Sequence, residues 1–369
     1  RVGETLAPAA PRAPPPPPPR GPGGAGRGAP PPGGGAGPPP PPPTAWPHSW
    51  SPHLNFDELF GNFPTLTITG LEQGAIYALI ALGYTLVYGV LRLINFAHSE
   101  VFMVGTFTAL WTWQALGYDQ NSAAPALGPL LVALVAGLAV AMVAAAATAV
   151  TVELVAYRPL RKRNAPPLAF LITAIGASFV LAESFGIGTS RAPFGMPTMI
   201  TQNTVFTIFG AAVTNLQLVI LGVTLIMMIG LDQFVNRSRL GRGIRAVAQD
   251  ADTAALMGVN KNRVILLVFV LGGLMAGVGA LLWDLRFGFT KFNVGFLIGL
   301  KAFSAAVLGG IGNLRGALLG GLLLGVVENY AAGLFGGEWK DFTGFVLLIV
   351  LLMFRPTGLL GESLGRARA

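Results

Sequence analysis

The chain has no cysteine and only three histidines, His48, His53 and His98. Neither a disulfide framework nor a Cys-ligated metal site can form, and no HExxH spacing exists to hold a hydrolytic zinc. Charge is also scarce, with Asp, Glu, Lys and Arg making up 11% of the residues. No lysine follows a glycine, so the GxxxxGK[ST] phosphate loop is missing and the chain does not bind ATP by that route. "GIG" at 310–312 joins two apolar runs and reads as a turn rather than a phosphate cradle. No catalytic constellation, metal site or cofactor is expected.

Apolar sequence is abundant: 53% of residues are hydrophobic, with a mean hydropathy of +0.63. A bilayer-crossing helix needs roughly 17–25 apolar residues. Runs near 65–91, 97–116, 127–156, 166–187, 215–235, 264–284, 294–312, 316–334 and 342–354 are candidates, the last being short. They are continuous rather than alternating, which excludes an outer-membrane barrel. The expected fold class is all-α, a polytopic helical membrane protein with about eight to nine transmembrane helices, because a helix satisfies its own backbone in lipid.

The net charge of +8 comes from cations in short loops. Arg158, Arg161, Lys162 and Arg163 form one cluster, and Arg237, Arg239, Arg242, Arg245, Lys261 and Arg263 a second; Arg355, Arg366 and Arg368 follow the last run. The positive-inside rule makes these loops and the C-terminus cytoplasmic, and no nucleic-acid partner is needed to explain them. Loops near 117–126, 188–214, 285–293 and 335–341 are then external.

Residues 1–50 are mostly Pro, Gly, Ala and Arg and are expected to be disordered. They have no secretory signal pattern. The first methionine, Met103, already lies inside the second run, so position 1 reads as a fragment boundary or as the translation of a sequence upstream of a non-AUG start.

Charges within apolar runs are costly and mark candidate pathways. Glu72, Glu153, Glu183, Lys301 and Glu328 are such charges. Glu153, Glu183 and Glu328 lie near run ends and are expected to snorkel outward. Lys301 is deeper, and either lines a polar cavity or snorkels. "LRLINFAHSEVFMVG" concentrates Asn95, His98, Ser99 and Glu100 in one turn. These cap a helix or line a cavity. Gly316, Gly320, Gly321 and Gly325 fall on one helical face and predict close helix packing.

Between two apolar runs lies "GRGIRAVAQDADTAALMGVN", residues 241–260, whose strong helix formers predict one short helix ending at Gly258. Such a helix could fill a partner's groove or lie at the headgroups. Together with "GAIYALIALGYTLVYGVLRLINFAHSEVFMVG", "GRGIRAVAQDADTAALMGVNKNRV", "GLKAFSAAVLGGIGNLRGALLGGLLLGVVE" and "FRPTGLLG", the chain from about 55 to 361 resembles the permease subunits of ABC importers for branched-chain amino acids. The resemblance implies that 241–260 is a cytoplasmic coupling loop, with Ala246, Asp250, Ala254, Ala255, Met257 and Gly258 facing the ATPase. It makes Asn95, His98, Glu100 and Lys301 candidates for the translocation path. It further implies a second, homologous permease subunit, two cytoplasmic ATP-binding subunits that carry the ATP, an extracytoplasmic substrate-binding protein, and residence in the bacterial plasma (inner) membrane. Residues 362–369 form the C-terminal tail. The loop 188–214 matches less closely and is a candidate contact for the binding protein. Rival readings are a permease for urea or short amides, an ion-coupled secondary transporter, which needs buried acids along its path, and an intramembrane enzyme.

Overall fold

The computed structural model describes residues 54–361. The 1–50 stretch with His48, His53 before the first run, and the tail 362–369 with Arg366 and Arg368 lie outside the described residues. In chain order the elements begin with α1 (Phe56–Gly61), α2 (Phe63–Leu91), α3 (His98–Ala115) and α4 (Leu127–Val152). A π-helical turn (Glu153–Tyr157) carries α4 on into α5 (Arg158–Lys162), followed by α6 (Pro167–Gly188). Strands β1 (Phe194–Gly195), β2 (Thr204–Ile208) and β3 (Ala211–Thr214) come next. Then follow α7 (Asn215–Arg237), α8 (Arg239–Gln249), α9 (Ala251–Leu256), α10 (Lys261–Phe287) and β4 (Phe289–Thr290). The chain closes with α11 (Val294–Gly309), α12 (Leu314–Phe335) and α13 (Lys340–Phe354).

Each apolar run of the sequence is a helix, and among the described residues six helical segments are long and apolar enough to cross a membrane. α11 is shorter, 16 residues or about 24 Å against a hydrocarbon core of ~30 Å. α2 forms the axis of the bundle and is buried almost continuously from Gly70 to Val87. α4, α6, α7 and α13 turn Val135, Val143, Phe179, Ile226 and Met353 outward. Apolar side chains on the outside of a helical bundle suit a hydrocarbon surrounding.

Two seams of small residues draw the helices together. A side chain at Gly321 of α12 would start 2.7 Å from the Ala78 Cα of α2, and one at Gly70 of α2 would start 2.6 Å from the Val326 Cα. Gly325 lies against Gly70 and Gly74, while Gly316 and Gly320 lie against Gly309 of α11. The second seam was not read from the sequence: Gly273 and Gly277 of α10 sit 2.6 Å, measured the same way, from Ala146 and Met142 of α4. Without a hydrophobic force between helices in lipid, such close backbone contact supplies dispersion energy instead.

The segment 188–214 is more ordered than a plain loop. β2 and β3 pair antiparallel, with a turn at Phe209 and Gly210, both at positive φ, as a tight hairpin requires. β1 pairs with β4, tying this segment to the chain leaving α10.

The ends of the bundle follow from contacts. Arg92 at the C-terminus of α2 donates to the Ala248 carbonyl of α8 (3.1 Å), and Leu359 N–H donates to the Leu308 carbonyl of α11 (2.8 Å). The end of α2, the α8–α9 pair, the α11–α12 turn and residues 355–361 therefore share one end. At the opposite end Phe63 stacks on Tyr330 with centroids 5.0 Å apart, joining the start of α2 to the end of α12.

Candidate functional site

Residues 241–260 do not form a single helix. α8 starts earlier, at Arg239, and stops at Gln249; α9 then begins at a new angle. The break is Asp250, whose extended backbone and short carboxylate suit an N-cap better than a helix interior. Its Oδ1 accepts from the amides of Asp252 (2.9 Å) and Thr253 (3.1 Å), and its Oδ2 from the Thr253 hydroxyl (2.6 Å). These bonds, the Thr253 hydroxyl foremost, hold the Asp250 carboxyl below the usual carboxylate range. A depressed pKa means the cap is intact above the ordinary Asp pKa and is lost as pH falls through the lowered value. Asp250→Ala is expected to speed amide exchange across 251–256 at neutral pH while leaving α10 protected, a contrast that hydrogen-exchange mass spectrometry resolves.

The break changes which residues face outward. Ala254 is buried (5% exposed) and Ala246 half-buried, both packed toward the bundle. Leu256 and Met257, by contrast, are 89% and 81% exposed, beside exposed Ala255. Gly258 takes φ +87°, ending the loop before α10. Leu256 was not singled out from the sequence. α8 is fastened at two points: Arg245 donates to the Val235 carbonyl of α7, and Arg92 caps the Ala248 carbonyl. Beneath it opens a cavity of about 780 Å³ bordered by Tyr88, Arg92, Asp232, Arg245, Ile311 and Arg315. Arg315 pairs with Asp232 across it at 3.1 Å.

Further into the bundle, the turn before α3 brings together the polar residues of 91–105. Asn95, His98, Ser99 and Glu100 are all buried. Asn95 Oδ1 accepts from the Tyr157 hydroxyl (3.0 Å). The His98 ring occupies the space that a side chain at Gly83 would take and meets Tyr84 edge-on at 4.8 Å. The Ser178 hydroxyl of α6 donates to Glu100 Oε1 (3.2 Å); the Ser99 hydroxyl, whose closer acceptor is the Phe96 carbonyl (2.7 Å), lies 3.3 Å from the same oxygen, and Oε2 has no hydrogen-bond partner.

Lys301 does not snorkel, which removes one of its two readings, and neither does Glu328, which corrects the expectation for that residue. Lys301 Nζ lies 3.1 Å from Glu328 Oε2, 2.5 Å from Asp341 Oδ1 of α13 and 3.3 Å from the Tyr77 hydroxyl of α2. Tyr77 in turn donates to Glu328 at 3.1 Å. A neighbouring set joins Lys340 to Gln73 and Asn329. Glu153 is likewise buried, not turned to the interface, and pairs with Arg161 across the π-helical turn. Glu72 pairs with Arg286 at 2.7 Å and accepts from Gln217 at 3.3 Å. Glu183 is half-exposed and paired with Arg191. More acids are buried than the sequence suggested. Asp284 was missed because its run was taken to end there, yet it is buried with neither carboxylate oxygen hydrogen-bonded. Among the described residues no His, Cys, Asp and Glu group could hold a metal ion.

Buried ion pairs that link α2 to α10 and α11 to α12, an apolar exterior and several helices of membrane-crossing length mark a multi-pass membrane protein. Residues 66–353 match the family described as branched-chain amino acid transport system / permease component, and the chain belongs to that family. It is 43% identical over 301 residues to the high-affinity branched-chain amino acid transport system permease protein BraD of Pseudomonas aeruginosa, covering 80% of this chain and 94% of that protein. It is 41% identical over 311 residues to the corresponding permease LivH of Escherichia coli K12, covering 83% and 97%. A probable branched-chain amino acid permease of Methanocaldococcus jannaschii is 27% identical over 311 residues, covering 79% of this chain and 91% of that protein. No solved structure matches.

Proposed function

We propose that the chain is one permease subunit of an ABC importer of branched-chain amino acids in the inner membrane, providing part of the path while separate subunits hydrolyse ATP. The observation that carries this reading is identity above 40% with BraD and LivH along nearly their whole lengths. The partners are a second related permease, two ATP-binding subunits and an extracytoplasmic binding protein. The arginines and lysines at the α8–α9 end support a cytoplasmic placement of that end, which residues 355–361 share.

In this reading the exposed Ala255, Leu256 and Met257 enter a cleft of the ATPase, with Asp250 fixing their angle and Gly258 ending the element. Ala246 and Ala254 seat the pair against the bundle. Closure of the ATPase dimer carries α8 and α9, and the Arg92–Ala248 bond passes that displacement to α2, the axis of the bundle. Asn95, His98, Glu100 and Lys301 are path candidates. No covalent chemistry on the cargo is involved.

The test is a Leu256→Arg, Met257→Glu double variant expressed with its partner subunits. Co-purification of the ATPase subunits is expected to fall at least tenfold and uptake with it, while membrane insertion is unchanged. Normal uptake in that variant would remove the case for docking at α9.

A further inference from the structure

The buried acids of this bundle are not alike. Glu72, Glu153 and Glu328 each have a basic partner, whereas Glu100 and Asp284 have none, and of these two Glu100 faces another helix's N-terminus. Glu100 is 1% exposed, two hydroxyls lie at its Oε1, and Oε2 is open. A buried carboxylate without a cation is a costly arrangement that an arriving cation relieves.

The open oxygen faces the beginning of a helix. A side chain at Gly295, in the first turn of α11, would start 2.9 Å from Glu100 Oε2. No side chain caps this helix: Asn293 stands at the N-cap position without bonding to it. The first amides of a helix have no intrahelical acceptor and carry a partial positive charge. One helical turn further on, Gly299 meets Ser99, and its missing side chain would start 3.2 Å from the Tyr84 hydroxyl. α3 and α11 thus meet through glycine on the α11 side, at Gly295 and Gly299. The Val294 amide is taken by the Lys291 carbonyl (3.0 Å), so the donors beside Glu100 Oε2 are the amides that follow it in the first turn, which have no acceptor within the helix.

Resting on the importer reading above, we propose that Glu100 and the first turn of α11 form the site through which the cargo's charged end passes. Glu100 Oε2 takes the α-ammonium and the α11 amides take the α-carboxylate, groups that an amino acid bears on a single carbon. The ligand class is a zwitterionic α-amino acid. The contact is closed in this structure and opens by separation of α3 from α11.

The experiment uses the complete importer in proteoliposomes, with L-leucine as the probe. Uptake and ATP hydrolysis stimulated by the loaded binding protein are measured for the wild type, Glu100→Gln and Glu100→Asp, alongside the melting temperature of each purified complex. Glu100→Gln is expected to lower uptake at least tenfold while stimulated hydrolysis stays within twofold, and Glu100→Asp to recover part of the uptake. The melting temperature of Glu100→Gln should be unchanged or higher, because a buried carboxyl group without a basic partner has been removed. Uptake within twofold of wild type would overturn the proposal. So would a lower melting temperature with uptake and hydrolysis falling together, which would make Glu100 a structural anchor. If the wild type itself shows no uptake dependent on ATP and binding protein, the importer reading fails, and that failure is visible before any variant is compared.

Discussion

Replacing Lys301 by Met is expected to destabilise the folded protein by about 3–5 kcal/mol, the usual cost of removing one partner of a buried ion pair. Lys301 serves two carboxylates at once, Glu328 on α12 and Asp341 on α13, and the Tyr77 hydroxyl of α2. Asp341 is half-exposed and loses little when the lysine goes. Glu328 is fully buried, and without Lys301 it keeps only the Tyr77 hydroxyl among the partners described above. The penalty therefore falls mainly on Glu328, and a second substitution, Glu328→Gln, should recover most of it by removing the stranded charge. Thermal unfolding of the four proteins of this double-mutant cycle in mild detergent gives the coupling directly. Equal, small losses for both single variants would mean that water or lipid headgroups reach the pair.

Gly321→Leu is expected to prevent α2 and α12 from closing. At Gly321 a side chain meets the Ala78 backbone at 2.7 Å, so the obstacle is main chain and cannot rotate away. Overpacking of a soluble core costs about 1–3 kcal/mol. Here the cost is expected at or above the top of that range, because the helices gain nothing hydrophobic in return for separating in lipid. Gly176→Leu on α6 is the control, since nothing lies within 4 Å of a side chain there. Folded yield from membranes, measured by size-exclusion chromatography, should drop sharply for Gly321→Leu and stay near wild type for Gly176→Leu. Similar yields for the two would show that the seam is not required for assembly.

The long apolar helices were legible from the chain alone, because an apolar run long enough to cross hydrocarbon has only one economical way to satisfy its backbone. The sequence also marked Gly316, Gly320, Gly321 and Gly325 as close-packing positions, but they form two faces rather than the one expected: Gly316 and Gly320 meet α11, Gly321 and Gly325 meet α2. It placed Asn95, His98, Ser99 and Glu100 at a junction, because they are consecutive or nearly so. It could not say which partner each charge meets. Lys301 and Glu328 are 27 residues apart, and Glu72 and Arg286 are on different helices; distance from the end of an apolar run gave snorkelling for Glu328 and Glu153, where the bundle supplies Lys301 and Arg161. The coupling loop divides in the same way. Composition announced helix, but the cap geometry of Asp250 splits it, buries Ala254 and exposes Leu256. Periodicity is a property of one segment and is readable from that segment. Pairing of charges and the exposure of a face depend on which helices pack together, and only the tertiary structure decides that.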